Sequence, residues 1–263
     1  MNTQSGPSLH SCLRQRWTHN GLNVYNLTIV IPHDFDIFLT HLDMPREAAR
    51  GMNARNAFAL LRASDALSCA TLRKLAVQYI EMLWPSALHP CANPLFVTYV
   101  STTHVEDSIT VLTLARQYDI PGVLKAAYYH LLCTRSFWDR IYGPRKGTLG
   151  LPDADVTRLQ DAQLQLGQAW ACLLNSHPRK APLCPKCQHD DSAADAWGRD
   201  VADWFDKDPD DYIGAVDDVV RLIEELRLER NWCDGCLDER VSVWKAAKEL
   251  WWTGLDVSLQ TDR

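Results

Sequence analysis

Apolar residues return every third or fourth position through most of this chain, and two stretches 51 residues apart do so in nearly the same order. Leu60-Leu61-Arg62-Ala63-Ser64-Asp65-Ala66-Leu67 runs on to Leu72-Arg73-Lys74-Leu75-Ala76 and Ile80. Val111-Leu112-Thr113-Leu114-Ala115-Arg116-Gln117-Tyr118 runs on to Val123-Leu124-Lys125-Ala126-Ala127 and Leu131. Each predicts a helix, a turn and a second helix. Leu72, Ala76 and Ile80 share one helical face, as do Val123, Ala127 and Leu131, at i, i+4 and i+8. These faces are the expected core, whereas Lys74 and Lys125 are expected on the polar side. In the second copy Asp119-Ile120-Pro121-Gly122 supplies the break, since the residue before a proline avoids the helical region. A unit of this size cannot bury its apolar face alone, so the copies are expected to stack.

The same pattern divides the rest of the chain. Residues 1–22 show no apolar period and read as a flexible N-terminus. Val24 to Ile31 alternates like a strand, Pro32 ends it, and Asp34-Phe35-Asp36-Ile37-Phe38-Leu39 opens an amphipathic helix. Asn53 is a candidate N-cap for the first helix pair, at 54–83. A connector with Pro85, Pro90 and Pro94 leads to the second pair, at 106–142. Gly143-Pro144 to Pro152, with Gly147 and Gly150 inside it, marks a linker at 143–153. A C-terminal helical domain follows at 154–256. In it Val156, Leu159, Leu166, Trp170 and Leu173 share a face, and so do Val216, Val219, Ile223, Leu226 and Arg230. Trp244, Trp251 and Trp252 belong to a last helix. Core packing is their expected role, with an exposed Trp251/Trp252 pair as the alternative, because tryptophan dominates interface hot spots. The fold class is mostly α, with at most one short β element near 24–31.

Composition narrows the functional classes. A chain of 263 residues with 46% hydrophobic and 23% charged content has the balance of a globular protein. No window approaches the ~18 apolar residues that span a membrane. No basic-then-apolar segment opens the chain, so secretion is not expected and the Asn26-Leu27-Thr28 sequon is without consequence. A cytoplasmic or nuclear location follows. The net charge is −6 and no Lys/Arg run stands out, which disfavours binding to phosphate backbones. The chain has no G-x-S-x-G, G-x-G-x-x-G, P-loop or H-E-x-x-H, and His130 reads as structural rather than as a general base. The expectation is a protein without enzymatic activity, whose partners are other proteins.

Two patterns bear on metals. Nine cysteines in such a chain do not suggest a disulfide framework. Four of them form C-x2-C pairs, Cys184/Cys187 and Cys233/Cys236, a spacing that lets a tight turn place two thiolates on tetrahedral Zn²⁺. Residues 188–232, which separate the pairs, must fold back for all four to meet. One structural zinc, four reduced thiols at helix ends, and a redox disulfide all remain open, with Cys172 and His189 as substitute ligands. Asp206, Asp208, Asp210 and Asp217 fall at positions 1, 3, 5 and 12 of an EF-hand-like calcium loop. Asp211 stands where that loop needs glycine, and Asp217 is shorter than the usual glutamate, so an acidic solvated loop is the better reading.

The helix pairs "LLRASDALSCATLRKLAVQYI" and "VLTLARQYDIPGVLKAAYYHL" resemble the helical part of BTB/POZ-domain proteins, especially the large fungal, basidiomycete-type group. The order of the remaining features agrees over most of residues 24–256: the strand and helix before the pairs, a helix near 155–173, Cys184-Pro185-Lys186-Cys187, a helix with Trp197, Cys233-Asp234-Gly235-Cys236 and a final helix. The family's opening hairpin and F-x-V-H-type segment have no counterpart in the roughly twenty residues before Asn23. The resemblance therefore implies a truncated or degenerate BTB domain at 23–142, in which the family's dimer face is in doubt. It further implies an adaptor or scaffold in a ubiquitin ligase or a transcriptional complex. The rival reading is a metal-dependent regulator that joins a four-cysteine zinc site to the calcium loop.

Overall fold

Pro32 does not close a strand. It opens helix α1 (Pro32–Asp43), where its fixed φ suits the first turn and its missing N–H needs no partner. The computed structural model describes residues 16–19, 22–25, 29–85, 105–143, 150–180, 209–229 and 234–260. Before α1, strands β1 (Arg16–His19) and β2 (Leu22–Tyr25) pair antiparallel, Arg16 opposite Tyr25 and His19 opposite Leu22. The β element is thus shorter and earlier than the alternation at 24–31 suggests, and its partner lies in the stretch expected to be flexible. The fold is mostly α-helical.

Helices α2 (Pro45–Arg50), α3 (Ala54–Ala66) and α4 (Ala70–Leu83) follow. Asn53 caps α3 as expected, its side chain accepting a hydrogen bond from the Asn56 N–H at 2.9 Å. Next come α5 (Val105–Gln117), a 3₁₀ turn (Pro121–Val123), α6 (Leu124–Leu132) and α7 (Arg135–Tyr142). The last three helices are long: α8 (Asp153–Lys180), α9 (Tyr212–Glu229) and α10 (Asp234–Leu259).

Both expected helix pairs are present, and their turns are built alike. In the first, the Cys69 N–H donates to Ser64 O at 2.7 Å, and Ser68 holds φ 56°. In the second, the Ile120 N–H donates to Ala115 O at 2.8 Å, and Asp119 holds φ 55°. Each bond spans five residues and crosses a left-handed residue, the arrangement of a Schellman cap. Donor, acceptor and left-handed residue all recur at the repeat spacing. Non-glycine residues rarely enter this region, so the shared backbone is stronger evidence of equivalence than shared leucines.

The chain divides into two compact units, residues 1–124 and 125–263. The division falls inside the second copy rather than at the 143–153 linker. In the first unit α3 is central, packed on α1, α4 and α5. It buries Ala57, Phe58, Ala59, Leu60, Leu61 and Ala63. Helix α4 buries Leu72, Ala76 and Ile80, the expected face. Asp34 is buried and takes a two-pronged ion pair from Arg62 at 2.7 and 2.8 Å. That pair locks α1 to α3 and holds the Arg62 guanidinium more firmly protonated than usual.

In the second unit Val123's repeat partners Ala127 and Leu131 are buried as expected. So is every other residue of α6 from Lys125 to Leu132, which makes this helix buried on all sides. Lys125 thereby departs from its expected polar placement. Its Nζ is 2.7 Å from Asp256 on α10 and lies over the Trp252 ring, 4.3 Å from the centroid. Lys74, its counterpart, is exposed. Tyr128 donates to Asp155 at the start of α8 at 2.6 Å. Helix α8 buries Leu159, Ala162, Leu166, Trp170 and Leu174, while Val156 and Leu173 are half-buried. Helix α9 buries Val216, Val219 and Ile223; the Leu226 side chain and Arg230 lie outside the described residues. Trp170 gathers the helices, with Trp244 of α10 edge-on at 5.5 Å and Tyr212 of α9 at 6.3 Å.

Candidate functional site

Helix α10 carries two apolar faces, and only one is used up in the core. Cys236, Leu237, Trp244, Trp252, Leu255 and Leu259 are buried against the unit. The other face runs Val243, Ala246, Leu250, Thr253, Val257. These positions alternate steps of three and four, the spacing of a helix–helix seam. Leu250 is 70% exposed and Val257 is 78% exposed, with Val243 at the exposed margin. The three apolar side chains stand one heptad apart and line up as a stripe along the exposed side of α10.

Beside this seam is a groove of about 250 Å³ between α8 and α10. Ala162, Leu166 and Ala169 form its α8 wall, and Trp251, Gly254 and Leu255 its α10 wall. Small residues make the hollow: a Cβ added at Gly254 would meet nothing within 4 Å. Ser258 donates to Gln165 Oε1 at 2.7 Å and so links the two walls. Leu250 forms the lip. Trp251 is half-buried and edge-on to Trp170, at 6.4 Å, which fixes the back wall. A broader depression of about 660 Å³ lies across α7, α8 and α9 near Tyr142 and Tyr212, but Gln160, Gln163 and Gln168 line much of it. The first groove is the one shaped for an apolar side chain.

Burial sets the protonation state of two titratable groups in this unit. Tyr129 donates to Asp211 and meets Trp252 edge-on at 5.3 Å. Burial, with Cys133 and Asp211 beside it, pushes its phenol well above the usual range, so it stays a proton donor. Asp211 also accepts the Gly214 N–H at 2.7 Å, capping α9. His130 is buried, and desolvation lowers its pKa to about 4. It is neutral at pH 7.

The metal candidates are only partly visible. Cys236 is buried in the first turn of α10; Cys184, Cys187 and Cys233 lie outside the described residues. Cys172 is exposed on α8, and His189 lies outside the described residues. Of the calcium-loop acids, Asp206 and Asp208 also lie outside. Asp210 is exposed before α9, and both oxygens of Asp217 are 2.6 Å from Lys248 Nζ on α10. Helix α9 has already begun at Tyr212, the seventh position of that loop. Among the described residues no three His, Cys, Asp or Glu side chains gather as a metal-binding group. The tryptophan pair is split, Trp252 buried and Trp251 half-buried, so the exposed anchor of this region is Leu250. The seam spacing at 243, 246, 250, 253 and 257 is the signal that marks it. None of the described helices is long and apolar enough to cross a membrane. Against family models, curated proteins and solved structures, the chain matches none.

Proposed function

We propose that this protein is a non-enzymatic interaction module that binds another protein through the α8/α10 face. The observation that carries the reading is the exposed Val243–Leu250–Val257 seam at the lip of an apolar groove. Removing such a surface from water is the main favourable contribution to association, and a protruding leucine beside a hollow is a natural anchor for it. The repeated helix pairs, with their resemblance to the helical part of BTB/POZ proteins, support an adaptor or scaffold, in a ubiquitin ligase or a transcriptional complex. The rigid, all-round burial of α6 and the Trp170 cluster suits a scaffold that holds this face in one shape.

The test is cross-linking of the full chain in cells, followed by identification of the attached peptides, for wild type and Leu250→Asp. Leu250 is too exposed for the change to harm the core. A partner attached at Lys245 or Lys248 of wild type and lost from the variant is the expected result. Identical attachment in both would remove the groove from the function.

A further inference from the structure

The depression across α7, α8 and α9 uses other α8 residues than the α8/α10 groove does, and its lining has a different chemistry. We infer that it is a binding site for an uncharged carbohydrate. Its volume of about 660 Å³ is within the range of ligand sites. No residue of its lining carries a charge. A phosphate, a sulfated chain or a charged peptide would leave water here without meeting a counter-charge, which is unfavourable. A wholly apolar ligand fits no better. It would strip water from the amides of Gln160, Gln163 and Gln168 and return no hydrogen bond. What remains is a neutral ligand rich in hydrogen-bonding groups.

The amides are available to such a ligand. Gln163 is half-buried and Gln168 exposed, and neither side chain hydrogen-bonds to another described residue. Gln160 Nε2 reaches the Tyr142 hydroxyl at 3.5 Å, long for a hydrogen bond and readily exchanged for a shorter one. Each glutamine amide both donates and accepts, and so does each sugar hydroxyl, so neighbouring hydroxyls satisfy both ends of one amide. The apolar side of a sugar ring has its own counterpart. Tyr142 is 61% exposed, and its ring stacks on Trp138, 16° from parallel with 5.8 Å between centroids. Trp138 is buried and its indole N–H donates to Leu132 O at 2.9 Å, which anchors the platform. The C–H face of a sugar packs on such an aromatic face. Gly167 keeps the floor bare, since a Cβ there would stand 3.0 Å from the Tyr212 hydroxyl. An uncharged extended peptide fits less well. Its same-side backbone groups recur every ~6.8 Å, whereas Gln160, Gln163 and Gln168 rise along α8 in steps of ~4.5 and ~7.5 Å. Hydroxyls around a sugar ring impose no such linear register.

The experiment uses the intact protein with soluble oligomers of glucose, of mannose and of N-acetylglucosamine, a sulfated glucan, and an uncharged Gly/Ser/Gln peptide. Saturation-transfer NMR reads contact, and titration calorimetry reads affinity. At least one neutral oligomer should bind, its ring C–H protons receiving the most saturation, and added salt should change its affinity little. Tyr142→Ala should weaken binding about tenfold, while Tyr142→Phe, which keeps the platform, should lose little. Gln163→Leu combined with Gln168→Leu should weaken it as well, and circular dichroism checks that each variant is folded. Leu250→Asp should leave sugar binding unchanged, which separates this site from the α8/α10 face. A sulfated glucan that binds best and is released by salt would overturn the inference, because the uncharged lining would then select nothing. Tyr142-dependent binding of the peptide, with no sugar bound, would make a peptide the occupant and overturn it too. So would sugar binding that Tyr142→Ala leaves intact, or no sugar binding at all.

Discussion

Replacing Asp256 by Asn should destabilise the protein more than replacing Lys125 by Met, although both break the same pair. Lys125 keeps only 6% of its side chain exposed, and Asp256 keeps 28%. When Asp256 loses its charge, an ammonium stays buried with one fewer anion. Breaking a fully buried pair this way costs about 3–5 kcal/mol. Water reaches the Asp256 side, and the Trp252 face still attracts the cation, an interaction worth roughly 1–2 kcal/mol. The net loss is then about 2 kcal/mol. With Lys125→Met the cation itself is gone. The stem is replaced by an apolar chain that packs on Trp252, and the partly exposed carboxylate recovers hydration. That change should cost about 1 kcal/mol or less. Urea unfolding followed by tryptophan fluorescence suits the comparison, because eight of the ten tryptophans follow Lys125 in the chain. At a slope of roughly 2 kcal/mol per molar urea, the Asp256→Asn midpoint should fall by about 1 M. A larger loss for Lys125→Met would refute the reasoning. It would mean that the lysine stem, not the unbalanced charge, holds α6 to α10.

Three further outcomes are expected. Leu72→Ala should cost about 2–5 kcal/mol and Lys74→Ala less than ~0.5, while Ala127→Asp, which buries an unpaired carboxylate, should be worse than either in chemical denaturation. Ser68→Gly should stabilise by up to about 1 kcal/mol, because φ 56° is open to glycine, while Ala66→Gly two residues earlier in α3 should destabilise; equal signs in a thermal melt would contradict the left-handed cap. The contribution from keeping His130 neutral should be complete above about pH 6.5 and decline as pH falls toward its folded value of about 4, amounting to roughly 3 kcal/mol at the acid end. His130→Asn should flatten that part of the stability–pH curve, and an unchanged slope between pH 6.5 and 4 would exclude His130 as its source.

What the sequence could reveal was local. The i, i+4, i+8 faces of Leu72–Ile80 and Val123–Leu131, the Asn53 cap and the helix pairs all follow from period and propensity, and each is present. The strand pair was also legible through a signal other than alternation: Asn20-Gly21 between short runs is a strong hairpin marker, and β1 and β2 lie on either side of it. Alternation at 24–31 misled because Pro32 belongs equally well to a strand end and to the first turn of a helix. The seam on α10 was readable as spacing, but spacing does not say which of two apolar faces is buried. Trp244 and Trp252 took the core because Trp170 and Lys125 stand opposite them, leaving Val243, Leu250 and Val257 outside. Lys125 and Lys74 are equivalent in the repeat and opposite in burial for the same kind of reason. Lys74 faces solvent, while α10, more than a hundred residues later, places Asp256 and Trp252 over Lys125. A side chain's own period fixes the direction in which it points. What waits in that direction is set by contacts distant in the chain, and those only tertiary packing decides.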